Sequence, residues 1–158
     1  MTGHDYSNEI AQYLSTFFAA RGLSVFREVD IGRSVLGSVR RVDVLAVLDK
    51  RALAIECKYQ NVSGSAEEKI VHAIEDIEKI PMPAVLCYAG KGFSRGILAR
   101  LEASQAAVHA RPLYCDAWEL DCVLAMAFGW WDLVTKKKEQ VKFNFIGGQH
   151  EIDGRETD

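Results

Sequence analysis

The spacing of apolar residues changes character along the chain, and each change predicts an element. Ile10, Tyr13, Leu14, Phe17 and Phe18 recur at helical intervals, which predicts a helix from Asn8 to Arg21 with Ser7 as its cap and Gly22 just past its end. Ser24 to Ile31 alternates as a strand does. A loop over Gly32–Ser38 follows, then two strand-like runs, Val39–Leu48 and Ala52–Lys58, joined through Asp49-Lys50-Arg51. That arrangement is a hairpin signal. Ser65 with Glu68 forms a capping-box pattern for a helix that reaches Lys79 and stops before Pro81. Ala84–Tyr88 reads as a short buried strand, and Gly90-Lys91-Gly92 as a turn. A helix over Ser94–Ala107, a strand over Val108–Leu113 and a helix over Ala117–Phe128 complete the pattern, the last with a cap suggested by Asp116 and Glu119. Lys142–Ile146 reads as a last strand, and residues from Gly147 on as a polar tail. The expected architecture is a single mixed α/β domain over residues 1–146. Its antiparallel hairpin comes first and strand–helix crossovers follow.

Two strands carry charge where plain core strands would not. Val42–Leu48 is apolar apart from Asp43, and Ala52–Lys58 is apolar apart from Glu56 and Lys58. An ion buried without a partner is costly, so such residues are paired, exposed or bound to metal. Whether they meet depends on the turn. A two-residue loop sets Asp43 opposite Glu56, and a four-residue loop sets it opposite Lys58. Either register gathers all three charges on one face. A three-residue loop would set Asp43 against Cys57 and scatter them. Two carboxylates and an ammonium suit a hard divalent cation such as Mg²⁺, which takes oxygen ligands and keeps several waters.

Asp43 followed by Glu56-Cys57-Lys58 at the end of the next strand resembles the PD-(D/E)XK nuclease superfamily, whose fold is restriction-endonuclease-like. The resemblance spans residues 7–90. It implies a core of one helix, a three-stranded antiparallel meander, a helix and a further strand, which agrees with the element order above. It also implies Mg²⁺-dependent (or Mn²⁺-dependent) hydrolysis of phosphodiester bonds in DNA. Asp43 and Glu56 would hold the metal with the Cys57 carbonyl, and Lys58 would serve the attacking water. Glu9 resembles an acidic residue that many members carry on the first helix, and Gln60 a polar residue that follows the motif in several branches, so both are candidate site residues, Glu9 as an outer metal or water ligand beside the acid pair and Gln60 as a phosphate contact. Val42 stands where many members have proline. A duplex cutter ordinarily pairs two sites, so the expected assembly is a homodimer.

Charge limits how DNA could be held. Nineteen basic residues against 22 acidic give a net charge of −3, which excludes binding by bulk positive charge and demands a local basic patch. Arg33, Arg40, Arg41 and Lys69 flank the acid pair in sequence and are the candidate phosphate contacts. The Lys136-Lys137-Lys138 run reads as solvated. The histidines are scattered, the cysteines lack a paired spacing, and Gly90-Lys91-Gly92 lacks the spacing of a P-loop. No histidine or zinc site and no organic cofactor is expected. No apolar run approaches the roughly 20 residues of a membrane span, and the first residues lack a signal-peptide pattern. The expected setting is the reduced cytoplasm. Trp130-Trp131 reads as core or as a subunit contact. Two other functions compete with a nuclease: a catalytically inactive nucleic-acid-binding domain that keeps the fold, and a protein-interaction module built around the tryptophans.

Overall fold

A computed structural model describes residues 1–33, 39–63 and 67–135. Its elements in chain order are α1 (Gly3–Phe17), β1 (Ser24–Arg33), β2 (Val39–Leu48), β3 (Arg51–Tyr59), α2 (Glu67–Lys79), β4 (Ala84–Ala89), α3 (Arg95–Ala103), β5 (Ala107–His109), α4 (Trp118–Phe128) and a short α5 (Asp132–Thr135). One five-stranded sheet runs in the order β1-β2-β3-β4-β5. The first three strands are antiparallel, and β4 and β5 are parallel to β3. The parallel steps are crossovers through α2 and α3, as such connections require.

Each sheet face buries its own core. On one face α1 and α4 pack over Val44, Ala46, Leu53, Ile55, Cys57, Val85 and Cys87. On the other, α2 and α3 pack over Ala54, Leu86, Tyr88 and Ala107. The alternation along β3 therefore sends Ile55 and Cys57 toward α1. Ala54, Glu56 and Lys58 go to the α2 side.

Several boundaries differ from those the sequence predicts, each for a local reason. α1 begins at Gly3 because Thr2, not Ser7, caps it. The Thr2 hydroxyl accepts the Asp5 N–H at 3.1 Å and the Asp5 carboxylate accepts the Thr2 N–H at 2.8 Å. Its last residues tighten into a 3₁₀ turn, Ala19–Arg21, closed by Gly22 at φ +88°. α3 stops at Ser104, and Ala107 joins β5 instead. β5 ends at His109 rather than Leu113, because Pro112 opens a 3₁₀ turn. Glu119 does not cap α4; its carboxylate accepts the His109 N–H at 3.1 Å. Trp130 lies in the core, stacked 5.2 Å from Phe18, whereas Trp131 is exposed. The predicted cap at Ser65, the Lys136–Lys138 run, the strand over Lys142–Ile146 and the tail lie outside the described residues. No helix among the described residues is long and apolar enough to cross a membrane.

Candidate active site

The β2–β3 turn decides whether the charges meet. Leu48 pairs with Arg51 and Val44 with Ile55, so the connection is the two-residue loop Asp49-Lys50, with Asp49 at φ +53°. Continued one step, this register sets Asp43 across from Glu56. The paired ladder does not extend to them. Beyond Val44↔Ile55 the Asp43 side chain takes over the bonding, its Oδ2 accepting the Cys57 N–H at 2.8 Å.

Asp43 is aimed by a local distortion. Val44 and Ala46 of β2 face the α1 side, yet Val42 is buried on the α2 side, so the strand's alternation breaks at Asp43. On β1 the pairs Arg27↔Val44 and Val29↔Val42 keep one register, and the residue between them, Glu28, stands at φ +51°. A left-handed glutamate is an uncommon and costly conformation. It sits directly across the ladder from Asp43, so both strands depart from regular geometry at the level of the acid pair.

The three expected residues come together. The Asp43 carboxylate is near enough to Glu56 to act on its titration, and Lys58 Nζ lies 3.5 Å from Glu56 Oε1. Burial, reinforced by the adjacent Asp43 carboxylate, pushes the Glu56 pKa up to about 8, with the Lys58 ammonium acting in the opposite direction. Like charges in such proximity cannot both ionise freely. The neutral acid is then the form favoured by folding. Its contribution is fully present below the ordinary value of 4.5 and is lost as pH rises through about 8. The melting temperature of the metal-free protein should fall across that window. Glu56→Gln, which mimics the neutral acid, should remove most of the fall, as thermal unfolding between the two limits will show.

Glu56 and Lys58 open onto a cleft of about 310 Å³ between β2, β3 and α2, and Asp43 is not among its lining residues. Arg40, Arg41, Lys58, Lys69 and His72 line it, with Glu56 and Asp76 as the acids. Cations outnumber acids there, although the whole chain is negative. Arg41 is partly committed, its Nε donating to Asp30 Oδ1 at 2.9 Å. Lys69, His72, Ala73 and Asp76 share one face of α2 by their helical spacing. His72 is a cleft residue the sequence reading did not single out, and its i+3 relation to Lys69 was the available signal. The backbone of Arg33 ends β1, and its side chain lies outside what is described.

Two expected members have other partners. Glu9 is buried, but on the α1 side of the sheet. Its Oε2 and Oε1 accept from Arg111 Nε and Nη2, both at 3.1 Å, and Oε2 also accepts the Leu113 N–H at 3.2 Å. Arg111 in turn lies over the rings of Tyr59 and Tyr114. The carboxylate expected to assist the acid pair is instead one end of a buried ion pair tying α1 to the segment after β5. Gln60 is likewise buried and turned away, donating from Nε2 to the Gly92 carbonyl at 2.9 Å while its own carbonyl accepts the Gly92 N–H at 2.7 Å. The two backbones touch so closely that a Cβ on Gly90 would fall 2.2 Å from the Gln60 oxygen. The turn glycines thus clamp the end of β3 to the end of β4.

The donors present fit a hard divalent cation. Asp43 and Glu56 offer oxygen only, and their adjacency is relieved by a positive charge as well as by a shared proton. Among the described residues no group of three or more His, Cys, Asp or Glu side chains converges. A cage built wholly from side chains is therefore not the pattern. One or two carboxylates completed by water and a substrate phosphate is the pattern Mg²⁺ favours.

No curated protein matches the chain. Among solved structures, one described as a protein of unknown function is 16% identical, with 65% of this chain and 56% of that one covered and a TM-score of 0.40. The small subunit of the heterodimeric restriction endonuclease R.BspD6I is 10% identical over 80% of this chain and 77% of that one, with a TM-score of 0.36. The MspJI restriction endonuclease in complex with a 27-mer oligonucleotide is 14% identical over 83% of this chain and 30% of that one, with a TM-score of 0.34. The chain thus spans just over half the length of the first of these structures. A family model for the PD-(D/E)XK nuclease superfamily domain matches residues 2–131, and the chain belongs to that superfamily.

Proposed function

We propose that this domain hydrolyses phosphodiester bonds in DNA, with Mg²⁺ or Mn²⁺ held by Asp43 and Glu56 and the Cys57 carbonyl, and with Lys58 serving the attacking water. One observation carries the reading. Two carboxyls close enough for one to raise the other's pKa, with a lysine 3.5 Å from Glu56, converge where Glu56 and that lysine line a cleft richer in cations than in acids.

When bound, the cation supplies Lewis-acid stabilisation of the phosphoryl oxygens and acidifies a coordinated water. The chain's own groups do the rest. Asp43 is held by the Cys57 N–H, so its orientation is set before substrate arrives. Lys58 donates hydrogen bonds from Nζ to orient the water and to offset charge that builds in the transition state. Arg40, Arg41, Lys69 and Arg33 bind flanking phosphates and fix the strand's register without reading its bases. The sheet's other face is filled by α1 and α4, so substrate enters from the α2 side. A homodimer would carry two such sites.

Asp43→Asn tests the proposal. The expected result is loss of calorimetric Mn²⁺ binding together with loss of Mg²⁺-dependent cleavage of plasmid and branched DNA. Retained cleavage by the folded variant rejects it. Metal binding and DNA retention without any cleavage by the parent protein would favour the inactive DNA-binding alternative.

A further inference from the structure

Helix α4 has an apolar face on both sides. Its inward residues Leu120, Leu124 and Phe128 are buried in the core shared with α1. Its outward side carries Trp118 and Met126, 59% and 73% exposed, with the partly exposed Cys122 between them at intervals of four. That spacing makes a single stripe. From Cys122 to Trp131 the chain has no charged residue. Large exposed apolar side chains grouped in this way mark a contact surface rather than ordinary scatter.

The charges at the two ends of the stripe indicate what covers it. Glu119 lies beside Trp118 in the first turn, its Oε2 accepting the His109 N–H while the side chain stays exposed. At the other end, the Arg51 guanidinium reaches α4's C-terminus, 3.3 Å from where a Cβ on Gly129 would stand, and makes no ion pair among the described residues. The stripe is therefore acidic at one end and basic at the other, with Trp118 and Met126 equidistant from Cys122.

We infer that α4 is the homodimer interface of this protein, packing antiparallel on α4 of a second copy about a two-fold axis through Cys122. Trp118 of each copy meets Met126 of the other, and Glu119 of each approaches Arg51 of the other. Opposed helix directions add a favourable dipole term. Such a surface is self-complementary, as a two-fold contact requires. This names the surface for the pairing of copies proposed above. Because α4 covers the face opposite α2, both clefts stay open and neither copy completes the other's site.

Sedimentation equilibrium on the full chain tests it. The parent protein should be a dimer at tens of micromolar. Trp118→Glu with Met126→Glu should weaken association by about a hundredfold or more. Arg51→Glu and Glu119→Arg should each weaken it, and the two together should restore it. A monomeric parent, an unweakened Trp118/Met126 variant, or a charge swap without rescue overturns the inference. The readout is mass rather than cleavage, so failure of the nuclease reading leaves it intact. If that reading holds, the monomeric variant cleaves at the parental rate per copy.

Discussion

Lys58→Ala is expected to slow phosphodiester cleavage by about 10²–10⁴-fold while leaving the fold and divalent-metal binding in place. The side chain is one-third exposed, and the contact seen for it is the 3.5 Å approach to Glu56, so its removal opens no core cavity. What it removes is a cation within reach of the acid pair, a group that can orient water and answer charge developing in the transition state. Single-turnover nicking of plasmid at saturating Mg²⁺ gives the rate, and Mn²⁺ calorimetry reports on the acid pair separately. A folded, metal-binding variant that cleaves at the parental rate would reject the role assigned to Lys58. Lys58→Arg should rescue poorly, because a broad planar fork does not replace a compact ammonium where one water must be placed.

Arg111→Met is expected to destabilise the protein by about 3–5 kcal/mol, the usual result of removing one partner from a buried pair. The Glu9 side chain is only 2% exposed, and without the guanidinium its charge would face apolar surroundings with one remaining donor, the Leu113 N–H. Removing both charges, as Glu9→Met with Arg111→Met, should recover much of the loss. Urea unfolding midpoints with unchanged slopes will measure both effects. Glu9→Gln distinguishes an anchor from a participant in the chemistry. It should lower stability and leave cleavage per folded molecule close to parental, whereas a sharp fall in rate at full folding would return Glu9 to the reaction.

Local patterning accounts for most of the element order. Period-2 and helical spacings are properties of short segments, and they located β2, β3, β4 and α4 within a few residues. They failed where a competing local interaction won. Thr2 outcompeted Ser7 for the start of α1 because Asp5 could complete a reciprocal cap, and Pro112 cut β5 short. The acid–acid–lysine constellation was legible because charge inside apolar strands is conspicuous whatever the fold. The fates of Glu9 and Gln60 were not. Their partners, Arg111 and Gly92, lie 102 and 32 residues away, beyond any periodicity. The cleft's His72 was visible only as a neighbour of Lys69 once α2 was known to face the acids.

By itself the sequence determined which segments are helix or strand and that three charged residues sit in strands built for burial. These follow from side-chain spacing and the cost of desolvating charge. Tertiary structure decided that the β2–β3 turn has two residues, so that Asp43 meets Glu56, and that Arg111 rather than a metal claims Glu9. Those outcomes depend on register and on which distant groups the packed sheet brings within hydrogen-bond range.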